Sequence, residues 1–191
     1  MSKVGDSIVL VRHGATEWSQ AGRHTGRTDI PLTDEGRRQA RAVGQALARY
    51  LFARVFTSPL VRAAETCALA GYAAPEILPE LQEWDYGDLE GVTTEEIRTA
   101  QPGWTVWSGA VPGGETPDQV GARADAVIAR ALAVDGDVAL FAHAHLLRVV
   151  AARWLGLDPR AGRFFALDTA TRSVLGWERE QRVVRAWNVG C

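Results

Sequence analysis

Lysine is nearly absent from this 191-residue chain: Lys3 is the only one, and every other basic residue is arginine. That excludes a phosphate-binding loop built around a lysine, a Schiff-base lysine and a polylysine membrane patch. Cysteine is almost as scarce. Cys67 and Cys191 stand in no CxxC or other ligand spacing, so a disulfide scaffold and a thiolate metal site are both excluded, and a reducing, cytoplasmic setting is expected. Apolar runs are short. The longest, around 138–142 and 146–155, are brief or broken by Arg148 and Arg153, too little to cross a bilayer. Ser7 to Val11 is too short for the core of a signal peptide, so no export is expected. Strong charge of either sign is lacking too: the net charge of -2 argues against nucleic acid as a partner.

What remains is an ordinary globular composition, 47% hydrophobic and 23% charged, long enough to bury a core without staples. A single domain over residues 1–191 is expected. Ile8 to Val11 reads as a buried strand ending at Arg12-His13-Gly14. Thr33 opens a helix with Ala40, Val43, Ala46, Leu47 and Tyr50 on one face. Arg54 to Thr57 predicts a second strand and Leu60 to Ala70 a second helix. Between Gly71 and Pro117 only Thr93 to Ala100 looks helical. Thr116 to Leu132 predicts an amphipathic helix, and Asp137 to Ala142 a third strand that stops at His143-Ala144-His145 before another helix. Ser173 to Trp177 and Val183 to Trp187 alternate as an edge hairpin.

This order predicts an α/β three-layer sandwich, a mostly parallel sheet with helices on both faces and a C-terminal antiparallel hairpin. Ligands in such sheets bind beyond the carboxyl ends of the strands. Arg12, His13, Ser58 and His143 all fall there. With Arg62 they offer cationic or potentially cationic groups and no matching carboxylates, which suits a phosphate monoester of ~-1.5 to -2 charge. The turn from His143 to Leu146 is expected to add helix N-terminal N–H groups to the anion seat. A neutral His13 can attack phosphorus in line, with the arginines supplying the charge stabilisation that a metal gives elsewhere. Departure of an alkyl oxygen needs a proton donor. Glu83, beside the apolar Trp84, is the candidate, with Asp85 as competitor. His143 and His145 also have the spacing of a metal pair, but no further ligands are spaced to complete it.

These residues lie in four segments that resemble the histidine phosphatase superfamily, which contains cofactor-dependent phosphoglycerate mutases and many phosphatases. Arg12-His13-Gly14-Ala-Thr16-Glu17-Trp18, followed by Thr25-Gly26, Asp29 and Pro31-Leu32-Thr33, is similar to the segment of the nucleophilic histidine. Ser58-Pro59-Leu-Val-Arg62-Ala-Ala-Glu-Thr66 resembles the second phosphate-arginine segment, and Leu81-Gln-Glu83-Trp-Asp-Tyr-Gly87 with Glu90-Gly91 the acid/base segment. Phe141-Ala-His143-Ala-His145-Leu-Leu-Arg148 resembles the second-histidine segment. The resemblance implies that His13 is phosphorylated, that Glu83 donates the proton, and that Arg12, Arg62 and His143 hold phosphate. Thr16, Ser19, Thr25, Gly26 and Ala144 complete the expected substrate-binding set. No cofactor and no metal are expected.

Departures within the resemblance favour one branch. Mutases of the family follow the glutamate with arginine and carry a downstream Arg-Arg pair. Here Trp84 follows Glu83, no such pair lies between Trp84 and Gly114, and Ser19 replaces the mutase asparagine. The chain also stops soon after its last strand, where mutases have a longer tail. With Leu167-Asp-Thr169 the pattern looks most like the branch of sedoheptulose bisphosphatase-like and broad acid phosphatases. A phosphatase acting on a small phosphorylated metabolite, a sugar phosphate, is therefore expected, with phosphoglycerate mutase as the alternative and a phosphate-binding module without turnover as a third reading. Homo-oligomers are left open. Ala144 stands where glycine usually follows the second histidine, and a positive φ there would strain alanine by ~1 kcal/mol. His24 is expected at the surface near the pocket mouth, His145 at the substrate rim, Arg148 paired with an acidic neighbour, and Trp104 and Trp107 in the core.

Overall fold

The computed structural model describes residues 6–190, so Lys3 and Cys191 lie outside the described residues. Six strands form one mixed sheet in the order β3-β2-β4-β1-β5-β6: β1 (Ile8–Arg12), β2 (Arg54–Thr57), β3 (Glu76–Ile77), β4 (Val138–Ala142), β5 (Arg172–Glu178) and β6 (Gln181–Val189). The first four run parallel, and β5 and β6 are antiparallel additions beside β1. The expected sandwich is the one observed. The two-residue edge strand β3 lies within the segment read from sequence as mostly irregular, because two residues carry no periodicity.

Alternation along β1 and β4 builds the two cores. Ile8, Leu10, Val138 and Leu140 face one side, where α5 (Pro117–Leu132) and α6 (Ala144–Trp154) pack. Val9, Val11, Ala139 and Phe141 face the other, against Val43 and Leu47 of α2 (Asp34–Leu47) and Cys67 of α3 (Val61–Leu69). Both faces of each central strand are apolar, as a parallel sheet covered on both sides requires. Trp84, Trp104 and Trp107 are buried on the α5/α6 side, so the expectation of core tryptophans holds. The short helices α1 (Glu17–Gln20) and α4 (Thr94–Ala100) close the loops above the sheet.

The loop leaving β1 is tied to the start of α2. Thr33 caps α2 by accepting the Gly36 N–H at 3.0 Å, while its hydroxyl donates to the Ala15 carbonyl at 3.2 Å. The Gln39 side chain accepts the Ala15 N–H at 2.9 Å. Glycine is required at the crossing: a Cβ on Gly36 would meet the Ala15 carbonyl oxygen, and one on Gly14 the Gly36 carbonyl oxygen. Neither obstacle is a flexible side chain, so relief needs backbone movement. Gly36→Ala should therefore destabilise the fold by roughly 1–3 kcal/mol, read as a lower midpoint in urea, and displace the loop that follows His13. An unchanged midpoint would show that the crossing has slack.

Candidate active site

Strand register sets the site. Arg12 pairs with Ala142 and Thr57 with Phe141, so the residue after each strand emerges at one edge. The backbone pairing continues past β1: His13 N–H donates to the Ala142 carbonyl at 3.0 Å, and the His13 carbonyl accepts from Ala170 N–H at 3.0 Å. Ser58 N–H donates to the Phe141 carbonyl at 2.9 Å. His13, Ser58 and His143 consequently stand together, with the two imidazoles 5.2 Å apart.

His13 has Nδ1 2.7 Å from the Gly14 carbonyl. A carbonyl only accepts, so Nδ1 carries the hydrogen and Nε2 keeps a lone pair. Burial, then Arg12 and Arg62, push the His13 pKa well below its ordinary value. The ring is neutral. His143 is fully buried between two partners: Nδ1 accepts from Arg62 Nε at 3.1 Å, and Nε2–H donates to Ser58 Oγ at 2.8 Å. Burial and Arg62 push its pKa well down too. The structure thus corrects its inclusion among the cations: His143 is a neutral donor.

Arg62 is itself fully buried. Besides His143, it donates to the carbonyls of Thr28, Thr25 and Gly26 at 2.8–3.0 Å. One of its five N–H groups remains. Arg12 donates Nη1 to the Leu167 carbonyl at 2.5 Å, while its buried Nε has no partner. An orphan guanidinium donor beside a neutral imidazole is able to receive an anion, because a buried charged donor without an acceptor is costly.

Glu83 is buried, 5% exposed. Its Oε1 accepts N–H bonds from Trp84 and Leu146, both at 2.9 Å, and its Oε2 accepts from His145 at 3.1 Å. The carboxylate therefore caps α6, which corrects two expectations. The His145 and Leu146 N–H groups are taken by Glu83, leaving that of Ala144 for a ligand. Trp84 meets the carboxylate through its backbone, while its indole donates to the Glu115 carbonyl at 2.8 Å. Asp85 is engaged elsewhere, accepting from Gly87 N–H at 3.0 Å and pairing with Arg27 at 2.8 Å.

A cavity of about 230 Å³ joins these groups: His13, Arg12, Glu83, Ala144, Ser19 and Thr25 all line it. His143, Arg62, Thr16 and Gly26 sit outside its lining. Thr16 and Ser19 form the capping box of α1, each side chain bonding the other's backbone. The Thr25 hydroxyl donates to the Arg23 carbonyl at 3.1 Å. Gly26 serves through its carbonyl on Arg62 and its N–H, which Glu90 accepts at 2.7 Å. Ala144 opens α6 and is absent from the positive-φ residues, so the expected strain does not arise.

Sequence reasoning missed part of the lining. His24 is buried, not superficial. Tyr86 and Arg148 also face the cavity. Arg148 forms no ion pair with an acidic neighbour among the described residues: Nε donates to the Gly162 carbonyl at 3.1 Å and the guanidinium lies over Trp107, 4.8 Å from its centre. The spacing of His145 and Arg148, three apart on one helix, was the available signal. Among the described residues no group of three or more His, Cys, Asp or Glu side chains converges as a ligand set, and no helix is long and apolar enough to cross a membrane.

Comparison with known proteins shows what the chain is similar to. An acid phosphatase of Mycobacterium tuberculosis is 42% identical over 179 residues, covering 92% of this chain and 88% of that one. A sedoheptulose 1,7-bisphosphatase of Saccharomyces cerevisiae is 35% identical over 190 residues, covering 82% and 70%. The solved structure of a mycobacterial glucosyl-3-phosphoglycerate phosphatase superposes with a TM-score of 0.88 at 26% identity, over 97% of this chain and 100% of that one. The family model for the histidine phosphatase superfamily, branch 1, matches residues 8–190. With His13 and His143 at the ends of adjacent parallel strands, the chain belongs to that superfamily.

Proposed function

We propose that this phosphoric monoester hydrolase acts in the cytoplasm on small phosphate monoesters, sugar phosphates above all, through a phosphohistidine at His13 and without a metal. The observation that carries the reading is the neutral His13, its Nδ1 hydrogen tied to Gly14, beside the orphan Nε donor of Arg12 in a cavity shared with Glu83. The phosphatase names of the relatives that span most of this chain support it.

The steps follow from the atoms. His13 Nε2 attacks phosphorus, the bond to the ester oxygen breaks, and the carboxyl form of Glu83, its proton on Oε2, the oxygen with a single N–H donor, gives that oxygen its proton and becomes the carboxylate. Arg12 Nε, the remaining Arg62 N–H and the Ala144 N–H stabilise the phosphoryl oxygens. Water then attacks the phosphohistidine, gives its proton to Glu83, and phosphate leaves with His13 restored. Ser58 and Arg62 hold His143 in its Nε2–H tautomer.

Phosphate release should survive chelation, and His13→Ala should abolish it while leaving the circular dichroism spectrum unchanged. Activity lost to a chelator and restored by a metal, or a folded His13→Ala variant at wild-type rate, would overturn the mechanism. The direction of the His13 shift gives a second expectation. A histidine at its ordinary value of 6.5 would be about nine-tenths cationic at pH 5.5, whereas His13, shifted down, should still show the neutral Nδ1–H tautomer there in nitrogen-15 NMR. Glu83→Gln removes the transferable proton, so rapid-quench phosphorylation should slow ~100- to 10,000-fold more for sugar phosphates than for nitrophenyl phosphate, whose leaving group needs no proton. Equal slowing of both, or selective loss in Asp85→Asn instead, would move the donor away from Glu83.

A further inference from the structure

The proposed reaction leaves His145, His24 and Tyr86 without a task, although all three line the cavity. His145 lines the cavity with Glu83, and its own backbone N–H donates to Oε2 of Glu83 at 3.1 Å. Its Nδ1 is 2.5 Å from the hydroxyl of Tyr86. Burial and the nearby Glu83 raise the phenol pKa well above its ordinary value, so Tyr86 keeps its proton. Nδ1 of His145 is the one acceptor for that proton among the bonds of the described residues, and burial keeps the imidazole neutral. The ring hydrogen of His145 is then on Nε2.

His24 has the opposite polarity. Its Nδ1 lies 2.7 Å from the Val92 carbonyl and so carries a hydrogen, and in the Nδ1–H tautomer Nε2 is an acceptor. Edge contacts to Tyr86 at 4.9 Å and Trp104 at 5.3 Å fix its plane. The two imidazoles are nearly parallel, at 9°, with centres 6.4 Å apart. One wall of the cavity thus displays an N–H donor next to a bare nitrogen acceptor. An alcohol satisfies both, because it donates and accepts at once, whereas a carboxylate or phosphate oxygen satisfies the donor alone.

We propose that His24 and His145 form a hydroxyl-reading pair for the leaving group, with Tyr86 as the positioning residue that sets the His145 tautomer, so that esters of polyhydroxylated alcohols are preferred. The proposal rests on the phosphatase reading of the same cavity and adds the chemistry of the alcohol. It requires no charge on either ring.

The test compares kcat/KM for glycerol 1-phosphate and n-propyl phosphate, which share a three-carbon chain and differ in two hydroxyls. The wild-type enzyme should prefer glycerol 1-phosphate by ~10- to 100-fold, the range of one or two buried hydrogen bonds. His145→Phe and His24→Phe each keep a ring of similar shape, and each should bring that ratio toward one, mainly through KM for glycerol 1-phosphate. Two variants on different segments guard against the misfolding of either. Tyr86→Phe should release the His145 tautomer, visible by nitrogen-15 NMR as a mixture, and lower the ratio in part. A wild-type ratio near one, or folded His145→Phe and His24→Phe variants that both keep the wild-type ratio, would overturn the pair. Absence of phosphate release from either ester by the wild-type enzyme would instead remove the phosphatase reading beneath it.

Discussion

A fully buried guanidinium, that of Arg62, holds the site together. Its charge is far from bulk water and is solvated by the carbonyls of Thr25, Gly26 and Thr28 and by Nδ1 of His143. The four bonds reach residues 34 to 81 positions away and tie α3 to the loop that follows α1 and to the end of β4. Losing the guanidinium would strip three carbonyls and a buried ring nitrogen of their donor at once, the costly side of hydrogen-bond energetics. The same charge also sets the protonation of its neighbours: together with burial it disfavours a proton on both His13 and His143. A positive group that cannot leave keeps a nucleophile neutral.

Glu83 complements that arrangement from the lining of the cavity. By accepting the N–H groups of His145 and Leu146 it occupies the positive end of α6, a favourable place for a carboxylate. It is also the one carboxylate among the residues that line the cavity, facing Arg12 and Arg148. A carboxylate held by backbone donors cannot swing away, so the group proposed to move protons is fixed relative to His13 through β4 and α6. The positioning depends on backbone bonds, which are insensitive to most side-chain changes.

Much of this was legible in the chain. Apolar runs at 8–11 and 138–142, each ending abruptly in arginine or histidine, announced both the strands and the edge where chemistry sits, because a buried parallel strand cannot end in a charged group anywhere but at its rim. The periodicities of α2 and α5 were equally plain. Less legible were contacts that depend on carbonyl direction. Nothing in the residue letters says that Arg148 would lie on Trp107 instead of meeting an acid, or that His24 would be buried against Tyr86 and Trp104. The capping of α6 by Glu83 was hidden for the same reason: its partners are 62 and 63 residues away.

By itself, then, the sequence determined the layer order, the strand-end placement of His13 and His143, and the excess of arginine over carboxylate around them, since hydrophobic period and residue type are local properties. Tertiary structure alone decided protonation and tautomer. Whether His143 is a cation or a neutral donor, which nitrogen of His13 is free, and which nitrogens of His145 and His24 are engaged within the protein all follow from burial and from one carbonyl, guanidinium or phenol brought close by folding. Those are properties of distance and dielectric, and a linear chain carries neither until it is packed.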